Sequence, residues 1–250
     1  MSEFLAGATK RVKPPFFFKD LATFVNYAEN PRVICPQLRY MGGRRRPTGE
    51  RDGDKAVCFN PVYNISPNDC IVYSFGISTD WSFDDAMAGL GCQVYSFDHT
   101  IGLPSHDRSD RVHFYNIGLA HRDVTQTGQN ANYTLMSLTH IMDMLGHLNK
   151  TIDYVKIDIE ASEIYILQQL AEESVRLLQI KQLGIEMHPM ENLHEFVYDL
   201  FVLLEYLGFT TFDARRTAVE ELWYTVEQYP NLVLSKCYEM AWAQVETIYW

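Results

Sequence analysis

Two short segments, "KIDIE" ending at Glu160 and "GIEMH" ending at His188, carry residue types that move protons or hold metals. Each reads as the end of a strand, and alternate residues on a strand share a face. Asp158 then pairs with Glu160, and Glu186 with His188. If the two strands are neighbours, all four side chains converge. In one chemistry, His188 or a carboxylate is a general base taking a proton from an attacking hydroxyl or amine, while neighbouring acids orient it. In another, Asp158, Glu186 and His188 hold a divalent ion that lowers the pKa of a bound hydroxyl. Oxygen ligands suit Mg²⁺ or Mn²⁺, and the histidine also admits Zn²⁺. A plainer reading stands beside both: the acids and Ser162 cap the helix that begins in "ASEIYILQQL", and His188 is a satisfied core or loop histidine.

A third segment, "CIVYSFGISTDWSFDDAMAGLGCQVYSFD" from Cys70 to Asp98, supplies a ligand site for such chemistry. An apolar strand over Ile71 to Phe75 ends at Gly76, a helix begins near Ser82 or Asp84, and a second strand delivers Asp98, 22 residues after Gly76. In open α/β sheets, ligands bind beyond the carboxyl ends of the strands. Gly76 permits close backbone approach there, and a carboxylate at that spacing suits the hydroxyls of a ribose. One glycine is not the GxGxxG that seats a pyrophosphate on a helix N-terminus. Asp80, Asp84 and Asp85 would repel a pyrophosphate, which disfavours a nicotinamide dinucleotide. They suit a cofactor bearing ammonium and sulfonium charge, as S-adenosylmethionine (SAM) does.

The elements around these segments are those of an α/β protein. Seven apolar runs read as strands: "CIVYSFGI", "CQVYSFD", "VHFYNIGL", "DYVKIDIE", "KQLGIEMH", "GFTTFDA" and "LVLSKCYEMAWA". Between them "SFDDAMAGLG", "LMSLTHIMDMLGHL", "ASEIYILQQLAEESVRLLQ" and "ENLHEFVYDLFVLLEYLG" have apolar residues at helical spacing. Alternation of this kind predicts βαβ units around a mainly parallel sheet. Residues 1–55 read as a front section, a short helix in "PPFFFKDLATFVNYAEN" followed by a loop through "GGRRRPTGERDGDK". We expect it to cap a domain formed by residues 56–250 and to close the acceptor side of the site.

Together with "IDYVKIDIEASE", "IKQLGIEMH" and "CYEMAWA", the Cys70–Asp98 segment resembles the animal methyltransferase-like 24 group, itself similar to FkbM-type SAM-dependent methyltransferases. The resemblance covers about residues 35 to 245. It implies a class I methyltransferase fold, a Rossmann-like, mostly parallel seven-stranded sheet whose antiparallel last strand, "CYEMAWA", lies between the fifth and sixth. By position, Gly76 falls in the first SAM-binding motif, Asp98 at the ribose position and Asp158 in the motif after the fourth strand. The candidate cofactor-binding set is Ser74, Phe75, Gly76, Asp80, Phe97, Asp98 and Asp158; the candidate catalytic set is His188, Glu186, Asp158 and Glu160. FkbM-type proteins commonly have a glycine where this chain has Ala161, so the backbone at that corner is expected to approach a ligand less closely. The implied function is methyl transfer from SAM to a hydroxyl, less readily an amine, of a small molecule or an exposed group. The competing function is a non-catalytic domain that keeps the fold for binding or scaffolding.

Composition bounds these readings. A chain of 250 residues that is 47% hydrophobic can bury the core of one large α/β domain. A net charge of -11 disfavours a nucleic-acid surface. Arg44 to Arg46 read as a solvated loop. Phe16 to Phe18, Tyr40 and Trp81 read as packing residues, and His140 with His147 as a surface pair. No apolar run is long enough to span a membrane, and the N-terminal stretch, with Lys10, Arg11, Lys13 and two prolines, lacks the apolar core of a secretory signal, so the chain as given is expected in the cytoplasm unless a leader was removed. Three sequons, at Asn64, Asn132 and Asn149, point instead to the secretory route, and in an oxidising compartment Cys35 and Cys58, which flank an irregular segment, are placed to form a disulfide. Cys70, Cys92 and Cys237 are expected to be buried free thiols.

Overall fold

The computed structural model describes residues 19–244, apart from 48, 50, 129–130, 161 and 190–192. Phe16 to Phe18 and Ala161 therefore lie outside the described residues. The first helix, α1 (Leu21–Glu29), is started by the Asp20 carboxylate, which accepts the Thr23 N–H at 2.8 Å. Phe24, Tyr27 and Ala28 line its buried side.

Where a loop was expected there is instead an antiparallel hairpin, β1 (Leu38–Arg45) and β2 (Arg51–Cys58). Its charges hid the strand pattern because they are matched sideways: Arg46 meets Asp52 at 2.7 Å and Arg44 meets Asp80 at 3.0 Å. The second half of β2 is buried throughout. Residues 55 and 56 are both inside β2, so the front section and the rest share a strand.

The remaining strands are β3 (Ile71–Phe75), β4 (Gln93–Phe97), β5 (His106–Ser109), β6 (Val112–Tyr115), β7 (Gly118–Leu119), β8 (Val124–Gly128), β9 (Ala131–Met136), β10 (Ile152–Ile157), β11 (Ile180–Met187), β12 (Phe209–Arg216), β13 (Trp223–Val226), β14 (Tyr229–Ser235) and β15 (Tyr238–Gln244). The helices are α2 (Ser82–Gly89), α3 (Leu138–Met144), α4 (Glu163–Glu172), α5 (Ser174–Leu177) and α6 (His194–Tyr206). The main sheet has eight strands, not seven, in the order β12-β15-β11-β10-β3-β4-β6-β5. β5 is the addition, antiparallel to β6 at the edge. β15 runs antiparallel between β11 and β12. The run read as one last strand breaks at Lys236–Cys237, where β14, paired with β13, gives way to β15.

Alternation along the strands divides the core. Tyr73, Phe75, Val155, Ile157, Leu183, Ile185, Met240 and Trp242 pack on one face with α1, α3, α4 and α6. The other face is covered by α2 and the hairpin, around Val72, Val94, Tyr154 and Phe83, with Ala241 and Ala243 under β2. The front section thus does not form one cap. Its helix and its hairpin lie on opposite faces of the sheet. Hairpin and α2 meet so closely that a Cβ on Gly42, at φ +74°, would sit 2.4 Å from the Phe83 backbone. Among the described residues no helix is long and apolar enough to cross a membrane.

Cys35 and Cys58 form a disulfide, with Cα atoms 5.9 Å apart. Cys70 and Cys92 are not free thiols: they are bonded to each other, Cα atoms 4.6 Å apart. The register explains why. Ile71 is paired with Gln93 on parallel neighbours, which brings the preceding residues of β3 and β4 side by side. Cys237 is the free, buried cysteine. Alkylation of the denatured chain should label one cysteine without reductant and all five after reduction. Replacing Cys70 and Cys92 by serine should lower the unfolding free energy by about 3 kcal/mol, measured by urea titration.

Candidate active site

β2 passes over β11 and β15 and carries Lys55 into the interior. The register of those two strands sets Glu186 directly opposite Glu239. Like charges so placed repel, and more so away from water. Lys55 resolves the conflict. Its ammonium lies 2.7 Å from Glu239 Oε1, 3.3 Å from Glu186 Oε2 and 3.5 Å from Asp158 Oδ2, with 1% of the side chain exposed. Burial lowers its pKa, but the three carboxylates outweigh burial and raise it well above the usual range. Burial pushes Glu239 up to about 8, against the pull of Lys55.

Lys156 holds Asp158 from the other side. Its Nζ donates to the Gly76 carbonyl at 2.6 Å and the Phe75 carbonyl at 3.3 Å, and lies 3.6 Å from Asp158 Oδ2. Asp158 thus sits between two ammonium groups. It does not join Glu186 and His188 as the expected metal trio.

Cys237 takes that place, its thiol donating to Glu186 Oε1 at 3.0 Å. His188 Nε2 is 3.5 Å from the same oxygen and 3.8 Å from Glu160 Oε2, while Nδ1 faces Glu163 Oε1 at 3.4 Å. Burial lowers the His188 pKa, but its bonds with Cys237, Glu163 and Glu186 raise it well above the usual range. An imidazole so held is protonated and donates; a base role falls to a carboxylate. In Glu186, burial opposes charge, while His188, Lys55 and Cys237 more than offset it and hold the carboxyl well below its usual range. Ser162 makes no side-chain cap to α4. Glu163 closes that corner instead, its Oε1 accepting the Ile159 N–H at 3.0 Å.

Gly76 is demanded by the sheet itself: at φ +75°, a Cβ there would lie 1.6 Å from the Asp158 carbonyl oxygen. Asp98 closes the adjoining loops. Oδ2 accepts Ile77 N–H at 3.0 Å and Ser78 N–H at 2.8 Å; Oδ1 accepts Thr100 N–H at 2.8 Å and its hydroxyl at 2.6 Å. Burial works against its charge, but the Thr100, Ser78 and Ile77 bonds prevail and lower its pKa. All of its roughly four lone-pair directions are occupied. Asp80 remains at the loop, accepting the Ser82 N–H at 2.9 Å. Asp84 is buried beside Ser96, and Asp85 is engaged by Arg108 at 2.8 Å, so neither adds to the expected acidic loop.

The Phe75 and Phe97 side chains point into the core and stack with centroids 4.9 Å apart, leaving only their backbone for a ligand. Ser74 is buried in register with Lys156 and Ser96. Tyr40 donates to Asp213 at 2.9 Å, and Trp81 packs edge-on against Phe114. His140 pairs with Asp123 at the surface, but His147 is buried, 2.8 Å from the Tyr73 hydroxyl, so the two are not a surface pair.

Acidic residues in the loops at the carboxyl ends of a sheet covered on both faces, with the buried Lys55 beneath, are the setting of a group-transfer enzyme. A family model described as "Methyltransferase domain" matches residues 8–243, and the chain belongs to that methyltransferase family. Two curated relatives are the probable methyltransferase-like protein 24 of Homo sapiens, 27% identical over 88% of this chain, and that of Rattus norvegicus, 26% identical over 90%. The chain spans 63% and 65% of their respective lengths. Among solved structures, methyltransferase FkbM from Methylobacillus flagellatus KT is similar over 69% of this chain and 44% of its own, at 13% identity and a TM-score of 0.38. A SAM-dependent methyltransferase from Agrobacterium tumefaciens is similar over 86% and 72%, at 8% identity and a TM-score of 0.40.

Sequence reasoning missed Lys55, Lys156, Glu163, Cys237 and Glu239. Lys156 and Glu239 carried a signal, since each is a charge inside an apolar strand. Lys55→Met should destabilise the fold by about 3–5 kcal/mol, because it leaves buried carboxylates without a cation. Glu239 binds its proton more tightly folded than unfolded, so its contribution to stability is full below about pH 4.5 and is lost as pH rises through about 8. Unfolding titrations across that window should therefore show stability falling with pH, and less steeply in Glu239→Gln.

Proposed function

We propose that the chain transfers a methyl group from SAM to a hydroxyl of a small molecule or an exposed group, with an amine as the second acceptor class. What supports this reading is the placement of Asp80, Asp98, Asp158 and Glu160 in the loops that follow the carboxyl ends of β3, β4 and β10, in a chain of a methyltransferase family. That donor set fits a ligand carrying ammonium and sulfonium charge and opposes a pyrophosphate. When bound, SAM supplies an electrophilic methyl on its sulfonium.

The chain's own residues do the rest. Asp98 holds the ribose after the Thr100 hydroxyl releases Oδ1, and the Gly76 loop faces the methionine part. Asp158 is the base that takes the acceptor proton, with Lys55 and Lys156 holding it in place. Glu160, 89% exposed, faces the acceptor, and His188 orients Glu186 as a charged donor. The two disulfides support maturation in an oxidising compartment.

Calorimetric titration with SAM and its demethylated product tests the cofactor. Saturable binding by the parent, weakened at least about tenfold in an Asp98→Asn variant whose circular dichroism shows it still folded, is the expected result. A folded parent that binds neither compound overturns the reading and leaves a scaffolding domain. With an acceptor in hand, Asp158→Asn should cut turnover by about 10²–10⁴ without loss of SAM binding.

A further inference from the structure

We propose that Glu186, His188 and Cys237 form a binding site for a divalent transition metal, with Zn²⁺ the best match to their donors. One ligand atom from each residue lies within 4.8 Å of the other two. A tetrahedral zinc with bonds of about 2.0–2.3 Å holds its ligands about 3.3–3.7 Å apart. Cys237 Sγ is 3.0 Å from Glu186 Oε1, and His188 Nε2 is 3.5 Å from it, so adjustments of tenths of an ångström along those two edges suffice. A sulfur, a nitrogen and an oxygen together suit a borderline cation and disfavour Mg²⁺ or Ca²⁺, which take oxygen sets.

The surroundings are arranged as support for ligands. Glu163, wholly buried, takes the Nδ1 side of His188 at 3.4 Å, which fixes the ring and leaves Nε2 toward the site. Such a carboxylate behind the distal nitrogen is the usual partner of a metal-bound histidine. The other Glu163 oxygen has no hydrogen-bond partner, so this buried acid is committed to that corner. Lys55 engages Glu186 through Oε2, leaving Oε1 for the metal. The Cys237 backbone is anchored by the Ser235 hydroxyl at 3.2 Å, which sets the thiol at the mouth of β15. Glu160, at φ +52° on the open side, reaches within 3.8 Å of Nε2 and can serve as fourth ligand or yield to water. On binding, the metal replaces the thiol proton and the proton on Nε2. The proposal does not require methyl transfer, and its test reads metal binding alone.

Chelator-treated full chain is titrated with Co²⁺ and then with Zn²⁺. We expect one Co²⁺ per chain, a near-ultraviolet thiolate-to-cobalt band, and displacement by Zn²⁺. Cys237→Ser should abolish the band, and Glu163→Gln should weaken binding by about tenfold. Zn²⁺ should also raise the melting temperature of the parent but not of Cys237→Ser. If Cys237→Ser fails to fold, His188→Gln serves in its place, with loss of stoichiometric binding as the expected result. A folded parent that takes up no stoichiometric Co²⁺, or a band that survives in Cys237→Ser, overturns the proposal.

Discussion

The carboxyl ends of this sheet depend on one cation held out of water. Removing an ammonium from solvent costs several kcal/mol, which is recovered only when carboxylates surround it closely. Lys55 meets that condition with Glu239, Glu186 and Asp158. Without it, two glutamates on adjacent strands would face each other across a dry layer. The same contact fixes where the hairpin lies. A second, neutral anchor works beside it: the Gln182 side chain accepts the Cys58 N–H at 2.9 Å and donates to its carbonyl at 2.7 Å. With Tyr40 on Asp213 and the Tyr154 hydroxyl on the Ala56 carbonyl, these contacts give the hairpin one position on the sheet.

From that lysine a line of alternating charge runs through the site. Lys156, Asp158, Lys55, Glu186, His188 and Glu163 follow one another across β10, β2, β11 and the start of α4, each within 3.6 Å of the next. Each member lies in the field of its neighbours. Changing one group therefore removes a contact from those on either side, and single substitutions here will not add as independent effects.

The apolar runs bounded by turns were legible because burial on both faces leaves little else for such a sequence to do; β10 is buried along its whole length. The convergence of "KIDIE" and "GIEMH" was legible for the same reason, as both run to the same edge of parallel neighbours. The hairpin was not, since Arg44, Arg46, Asp52 and Asp54 interrupt any alternation; Arg46 and Asp52 satisfy each other, while Arg44 and Asp54 are met by Asp80 and Arg215, distant in sequence. Lys55 went unseen with it. The Cys70–Cys92 bond depends on register, which single-strand patterns do not encode. Asp98 stands where spacing put it, yet hydrogen bonding within its own loops occupies the oxygens that a ribose would use.

The two strands beneath the acidic loops, β3 and β4, are secured at opposite ends, by Cys70–Cys92 before they begin and by Asp98 after they finish. A floor tied at both ends does not splay. The loops that meet a ligand are ordered when the chain folds, and association need not bear that entropy again.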